Sequence, residues 1–252
     1  MAKIKAVDLV VAQNLAPTRS QAQALILAGR ILVGQEVVTK AGRLYPEETL
    51  MTLKEGRVYV SRGGFKLAGA LDRLKEEFGL DPLGLTALDA GASTGGFTDC
   101  LLKRGAARVV AVDVGRGLID QKLRQDPRVL VVENLNIRHL SLDQAEELGA
   151  PFDLIVSDLS FISLELILPA LAPLVKPLGH ILALVKPQFE VGPRLVGKKG
   201  VVRDPKVIQM AVDKISSLVP SLKPPFANLA QIPSPLPGAT GNQEIFLFLR
   251  RL

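Results

Sequence analysis

The strongest constraint in this 252-residue chain is a rhythm that begins at residue 85. Short apolar, β-branched runs alternate with helix-like stretches: "LTALDAG", "RVVAVDV", "RVLVVEN", "FDLIVSDLS" and "GHILALVKPQFE", with "TDCLLKRG" as the helix after the first. Near-continuous apolar runs of this length are strands buried on both faces, and helical crossovers between them make the sheet parallel. Each run ends in polar or special residues at its C-terminal end, where open α/β sheets hold their ligands. Late in the chain, "NQEIFLFLRR" is expected to close the sheet. The expected fold class is therefore doubly wound α/β.

Residues 1–55 follow a different grammar: a short helix, a longer helix, then small β-hairpins. "VDLVVAQNL" supplies the first helix. Thr18 is placed as N-cap of "RSQAQALILAGR", whose Ala22, Leu25 and Ile26 share a face and whose stop is Gly29. "ILVGQEVVT" holds two β-branched runs about Gly34–Gln35, and "RLYPEETLMTLK" repeats the strand-like pattern. Taken alone this is a small α+β unit. Its order, carried by "TRSQAQALILAGRILVGQEVVTKAGRLY", resembles the RNA-binding domain first described in small-subunit ribosomal protein four, with Val33–Gly34 where that family has asparagine before glycine. The resemblance implies phosphate contacts from Arg19, Arg30, Lys40 and Arg43, each of which reads equally as a solvated surface charge.

Charge agrees with a polyanionic partner. The net charge is +6, and residues 1–60 hold 8 Lys and Arg against 5 Asp and Glu, so the first quarter of the chain carries half of the excess. Aromatic residues make up 4% of the chain, so base stacking is not expected to dominate any nucleic-acid contact. One cysteine, Cys100, excludes an internal disulfide and suits a reducing cytoplasm, the expected location. "MAKIKAVDLVVAQN" is too interrupted for a secretory h-region. "LSFISLELILPALAPLV" (159–175) carries Ser160, Ser163, Glu165 and two prolines, so no membrane span is expected. His139 and His180 lack ligand spacing, and no metal is expected.

The expected division is an RNA-binding domain over 1–56, a short joint over 57–63 and a catalytic domain over 64–252. A helix is expected to begin near Phe65, which puts Lys66 on its first turn, where a cation opposes the helix dipole. Lys66 is either an exposed lysine whose stem covers apolar surface or a group held there for chemistry. The segment "EVGPRLVGKKGVVRD" (190–204) reads as a loose, basic lid or RNA-facing loop.

"LDAGASTGGF" (88–97) lacks the G-x-G-x-x-G spacing of dinucleotide-binding turns. Asp89, Gly91, Ser93 and Gly95, followed by Gly96 and Phe97, fit instead the first motif of S-adenosylmethionine methyltransferases, with Ser93 in a glycine place. Glycines let the backbone approach the methionine half of that cofactor, and a carboxylate beside it can meet the amino group. Asp113 in "AVDVG" is placed to accept hydrogen bonds from two ribose hydroxyls. An acidic residue there serves a nicotinamide dinucleotide equally, and the turn also reads as packing or as a site for another nucleotide. Two absences narrow the acceptor. "SDLSFIS" stands where common amino-methylating enzymes carry Asn/Asp-Pro-Pro-aromatic, and Cys100 lies in a helix, as a small core residue, not at a strand end as a nucleophile. A hydroxyl acceptor remains.

Asp158 follows "FDLIV", Lys186 follows "HILALV", Glu244 precedes "IFLFL", and Lys66 opens the helix that leads into the sheet. Each alone is a strand-end charge in solvent; together they crowd the rim that carries the cofactor turn. "SRGGFKL", "LDAGASTGGFTDCLL", "VSDLSFISL", "LVKPQFE" and "GNQEIFLFL", behind the small RNA-binding domain, closely resemble the TlyA family of hemolysin-A-like ribosomal RNA methyltransferases, whose catalytic domain is FtsJ-like and Rossmann-like. The resemblance implies a Lys-Asp-Lys-Glu tetrad on Lys66, Asp158, Lys186 and Glu244 and a ribose 2′-hydroxyl acceptor. Lys186 is the implied base, with Lys66 as a neighbouring cation and the two carboxylates positioning the amines. It also implies an interdomain coupling segment at "RVYV" (57–60) and an adenine site near Glu133, Asn134 and Asn136 of "ENLNIR". Members that modify both ribosomal subunits carry a longer basic start, so a cytidine of large-subunit rRNA is the expected target. Two other classes compete: a membrane-lytic protein, as the hemolysin label implies, and an RNA-binding protein without catalysis. The absence of a membrane span or lytic amphipathic helix opposes the first; the complete tetrad and cofactor turn oppose the second.

Overall fold

The chain divides after Val58 into two units, Met1–Val58 and Tyr59–Leu252, in a computed structural model that describes residues 3–27, 29–54 and 58–252. The first unit contains β1 (Lys3–Lys5), α1 (Ala6–Ala12), α2 (Arg19–Leu27), β2 (Ile31–Val33), β3 (Glu36–Val37), β4 (Leu44–Pro46) and β5 (Met51–Leu53). Thr18 Oγ1 accepts the N–H of Gln21 at 3.2 Å, the N-cap bond expected of it, and Gly29 ends the helix at φ +66°. Ala22 and Ile26 of α2 pack on Leu9 and Val10 of α1, over Ile31, Tyr45 and Met51.

One expectation fails here. β2 and β3 form the hairpin about Gly34, but "RLYPEETLMTLK" does not form a second one: β4 pairs with β1, Ile4 opposite Tyr45, and β5 pairs with β2, Leu32 opposite Thr52. The Gln13 side chain explains the parting. Its amide donates to the Thr49 carbonyl at 2.8 Å and accepts the Met51 N–H at 2.9 Å, which satisfies the backbone between the two strands without a ladder.

The second unit contains α3 (Arg62–Phe78), β6 (Thr86–Ala90), α4 (Gly96–Lys103), β7 (Arg108–Val112), α5 (Gln121–Arg124), β8 (Val129–Val132), α6 (Leu142–Glu147) and β9 (Phe152–Ser157). It continues with α7 (Leu168–Leu171), β10 (Val175–Val185), α8 (Pro187–Glu190), α9 (Pro205–Leu218), β11 (Phe226–Pro233) and β12 (Ile245–Arg251). The strands form one sheet in the order β11-β12-β10-β9-β6-β7-β8, parallel from β10 to β8, with β12 antiparallel to both neighbours. The expected doubly wound, Rossmann-like class holds. The closing strand does not lie at the edge, because β11 covers it. β11 carries Asn228 and Gln231 among its apolar residues, the composition of a half-exposed edge strand, not of a buried run.

Period-two alternation decides which face each side chain enters. Ala87, Val109, Ala111, Leu154, Val156, Leu182, Leu184, Phe246 and Phe248 point to the face covered by α3, α4 and α5; Leu88, Val110, Ile155, Ile181, Ala183 and Leu247 point to the face covered by α7 and α9.

Three further expectations are corrected. α3 begins at Arg62, capped at Ser61, so Lys66 lies on the second turn, where the opposing dipole has largely decayed. Of the joint placed at 57–63, Arg57 of "RVYV" lies outside the described residues, Val58 ends the first unit, and the residues from Tyr59 on belong to the second. Tyr59 is buried there, and the Val60 N–H donates to Asp99 at 2.9 Å. The segment 190–204 is pinned, not loose: Val202 is buried, and the Asn242 amide accepts its N–H and donates to the Gly200 carbonyl, both at 2.8 Å.

The contact between α3 and α4 has no room for a side chain at its closest point. A Cβ on Gly96 meets Ser61 Oγ at 2.2 Å and the backbone nitrogen of Gly64 at 2.9 Å. Gly96→Ala is therefore expected to destabilise the protein by about 1–3 kcal/mol in denaturant melts, the usual cost of overpacking. Gly192→Ala, with open space around it and no positive φ, is expected to stay within about 0.5 kcal/mol of the parent. Equal stability of the two variants would show that the helix contact is not as tight as its geometry.

Candidate active site

The alternation that sorts the core also gathers the charges. Asp158 continues the face of Leu154 and Val156, Lys186 that of Leu182 and Leu184, and Glu244 leads into that of Phe246 and Phe248. Asp89 and Asp113 continue the same face on β6 and on the end of β7. All five polar groups therefore emerge on the α3 and α4 side of the sheet. Val185 pairs with Ile245, so Lys186 and Glu244 flank one rung at the carboxyl end of the parallel strands.

The four charged residues form two ion pairs. Lys66 Nζ lies 2.5 Å from Glu244 Oε2, with Lys66 7% and Glu244 2% exposed. Lys186 Nζ lies 2.7 Å from Asp158 Oδ1 and donates to Ser160 Oγ at 2.8 Å. Each cation has its own carboxylate, so Lys66 is neither a solvated surface lysine nor a bare charge beside Lys186. Ser160 went unrecognised in the sequence; a serine two residues past a strand-end aspartate carries no distinguishing signal there.

The glycine turn folds as a tight cradle. Gly91 and Gly95 have φ near +90°, and Ser93 adopts φ +49° in a left-handed position that a glycine fills more easily. A Cβ on Gly91 meets Leu159 at 2.8 Å, so this glycine lets the turn lie against the loop after β9. The Ser93 N–H donates to Asp113 Oδ2 at 2.8 Å and the Gly115 N–H to Oδ1 at 2.7 Å. Each Asp113 oxygen keeps a free lone pair for a ligand hydroxyl.

Two cavities adjoin this cradle and share Gly91 and Ser160. One, of about 190 Å³, is walled by Val112, Leu135, Ile137, Leu159 and Ile162, with Asp113 and Asn136 as its polar edge. The other, of about 160 Å³, is bounded by the glycine turn, Phe97, Asp158 and Lys186. An apolar slot beside a polar, charged chamber fits a ligand with a flat heterocycle at one end and a charged amino acid at the other.

Asp89 is wholly buried. Its Oδ2 accepts both the N–H and the hydroxyl of Thr98, at 2.9 and 2.7 Å, while Oδ1 has no partner among the described residues. Burial lifts its carboxyl to about 7, the Thr98 bonds oppose the lift, and the charges of Asp158 and Asp113 add to it. A buried, unpartnered oxygen among three carboxylates is suited to a cationic ligand group.

Other expected residues lie less centrally. Asn136 Oδ1 caps the Arg138 N–H at 3.1 Å while lining the apolar slot; Asn134 is exposed at φ +58°. Glu133 is engaged by Arg124 and by the Gly117 N–H, which makes it a brace of the neighbouring loop. In the first unit, Arg19 pairs with Asp8 at 3.1 Å, Arg43 pairs with Glu36 at 2.7 Å and lies over Tyr45, and Arg30 donates to the Lys54 carbonyl. Lys40 is exposed without an ion-pair partner among the described residues. No cluster of His, Cys, Asp and Glu suited to a metal occurs among the described residues. No helix among them is long and apolar enough to cross a membrane.

Comparison with known proteins agrees with this geometry. Residues 59–251 match the FtsJ-like methyltransferase family and residues 7–49 the S4 domain. The 16S/23S rRNA (cytidine-2′-O)-methyltransferase TlyA of Mycobacterium tuberculosis is 44% identical over 99% of this chain and 91% of its own length. The 23S rRNA (cytidine-2′-O)-methyltransferase TlyA of Campylobacter jejuni is 35% identical over 84% of this chain and 81% of its own. A solved structure from Streptococcus thermophilus, described as a hemolysin, superposes with a TM-score of 0.72 at 37% identity, covering 100% of this chain and 89% of that one. A catalytic unit built on the FtsJ-like pattern, behind an S4 domain and similar along its length to curated TlyA proteins, places this chain in the TlyA family of FtsJ-like methyltransferases.

Proposed function

We propose that the protein transfers a methyl group from S-adenosylmethionine to the ribose 2′-hydroxyl of a cytidine in ribosomal RNA, with 23S rRNA, common to both TlyA relatives above, as the target. The observation that carries the reading is the Lys186–Asp158 pair, held by Ser160 at the wall of the chamber that the glycine turn encloses. When bound, S-adenosylmethionine supplies an electrophilic methyl group on a sulfonium. Asp113 accepts the hydroxyls of its ribose, the slot edged by Asn136 takes the adenine with Asn134 close by, and Asp89 takes the ammonium. Gly91, Ser93, Gly95, Gly96 and Phe97 shape the turn around the methionine half.

A ribose hydroxyl is a weak nucleophile at neutral pH and must be held in line and relieved of its proton. Lys186 first gives up its own proton; as the neutral amine, fixed by Asp158 and Ser160, it then holds that hydroxyl and receives its proton. Lys66, fixed by Glu244, steadies the developing alkoxide. The S4 unit supplies RNA affinity through Arg19, Arg30, Lys40 and Arg43. The ion pairs of Arg19 and Arg43 are surface pairs of small net worth, exchanged for phosphate at little cost.

The test is methyl transfer to 23S rRNA, with the modified ribose mapped at nucleotide resolution. Lys186→Ala is expected to abolish transfer while cofactor and RNA affinities stay within about threefold, since the lost interaction belongs to the transition state. Lys186→Arg is expected to be nearly as inactive, because a guanidinium does not give up its proton at working pH. An arginine variant with most of the parent rate would exclude the base role.

Asp89 makes cofactor binding depend on pH. A carboxyl lifted from 3.8 to about 7 favours the native state below pH 4 and loses that contribution as pH rises through 7. A bound ammonium favours the ionised form, so binding below pH 7 releases a proton. Affinity for S-adenosylmethionine is expected to rise by up to about tenfold per unit between pH 5 and 7, then level off. Asp89→Asn is expected to flatten that dependence in calorimetry; an unchanged slope in this variant would remove Asp89 from the ammonium site.

Phosphate contacts carry a salt signature. Lys40→Glu is expected to weaken rRNA binding and to lower the slope of log K against log salt by about 1, leaving cofactor affinity unchanged. A slope equal to the parent's would take Lys40 off the RNA surface.

A further inference from the structure

Among the described residues the chemistry above leaves two buried acids unused, Asp99, which is engaged by the Val60 N–H and Lys103, and Glu190. Glu190, with 1% of its side chain exposed, ends α8, the short helix that follows Lys186. Its Oε2 accepts the hydroxyl of Ser163 at 2.5 Å and its Oε1 accepts the Leu164 N–H at 2.9 Å. Ser163 and Leu164 stand at the far end of the loop that begins with Asp158. That loop is therefore tied to the 186–190 segment at both ends: Asp158 and Ser160 to Lys186 at one, Ser163 and Leu164 to Glu190 at the other. Within that loop Leu159, Ser160 and Ile162 line the slot, with Ser160 also on the chamber.

Burial pushes the Glu190 carboxyl above its usual range, and the bonds from Ser163 and Leu164 and the Lys214 charge oppose that shift while holding the side chain in place without reaching the site. Lys214 of α9 donates to the Glu190 carbonyl at 3.3 Å, and its Nζ lies 3.9 Å from Glu190 Oε2 and 2.8 Å from Glu165 Oε2. A surface-facing carboxylate needs none of these partners. A buried one has a cost that its hydrogen bonds must offset.

We infer that Glu190 is a positioning residue for methyl transfer: it latches the loop after β9 to the segment after β10 and so fixes Asp158 and Ser160 against Lys186. The inference rests on the proposed role of Lys186. Displacing a reacting group by an ångström costs on the order of 100-fold in rate without any loss of binding energy. The effect of unlatching therefore falls on the chemical step.

The experiment is single-turnover methyl transfer by the full-length protein, at saturating S-adenosylmethionine and 23S rRNA. Glu190→Ala is expected to slow transfer by about 10- to 100-fold with RNA affinity unchanged. Glu190→Gln is expected within about threefold of the parent, because its amide oxygen accepts from Leu164 and its N–H donates to Ser163. Ser163→Ala, which leaves no buried charge without its backbone partner, is expected to be slowed in the same direction. Where Glu190→Ala does not fold, Ser163→Ala decides. A parent-like rate in Ser163→Ala or in folded Glu190→Ala overturns the latch, as does a glutamine variant as slow as alanine. Lys186→Ala run alongside separates the two readings: if it is inactive while the latch variants are fast, only the latch fails. If it is active, the catalytic reading fails and the latch with it.

Discussion

The second unit depends on charges that can leave water only in pairs. Lys66 and Glu244 are 178 positions apart in sequence, and their side chains are 9% and 3% exposed where they meet. Removing either partner leaves an uncompensated buried charge, a loss of about 3–5 kcal/mol in other buried pairs. The pair therefore couples α3, the first helix of the unit, to β12, its last strand. Lys186 stands across the rung from Glu244 and brings Asp158 with it, so the registry of the strands that fill the core is also the registry of the site.

Charge divides the site as well as holding it. Asp89, Asp113 and Asp158 surround the glycine turn, and two of the three raise the proton affinity of the third. Burial and these two neighbouring charges disfavour ionisation of Asp89. The two lysines are each paired with a carboxylate, and Lys186 shares one chamber with Asp158 and the glycine turn. A proposed acceptor hydroxyl thus meets positioned amines, and a proposed sulfonium ligand meets carboxylates, within one strand end.

Much of this was legible because period two is a local signal. "FDLIVSD", "HILALVK" and "EIFLFL" each place a charge in step with the apolar residues of one face, and that step is what carries Asp158, Lys186 and Glu244 to the same side. Pairing is not local. Which lysine takes which carboxylate follows from strand order and from the antiparallel seat of β12 inside β11, and neither is encoded in any one segment. The start of α3 is hidden in sequence for a related reason: Ser61 and the glycines at 63 and 64 look like a loop until α4 lies against them. The strands at 44–46 and 51–53 read locally as a hairpin because the group that diverts them, Gln13, lies far off in sequence, in the turn after α1.

Ser160, Ser163 and Glu190 mark the limit of reading by pattern. None sits on a strand, so alternation says nothing of them, and serine and glutamate near a turn are ordinary in sequence. Their significance comes from two loops that leave adjacent parallel strands and then hydrogen-bond to each other. Neighbouring strands of a doubly wound sheet deliver such loops to the same edge whatever their sequences, and side chains then decide whether the loops stay independent or act as one. Here a lysine and a glutamate four residues apart each reach across, so the loop after β9 has little freedom to move without the segment that carries Lys186. Parallel strands fix where Asp158 and Lys186 emerge, and the cross-loop bonds tie together the segments that carry them.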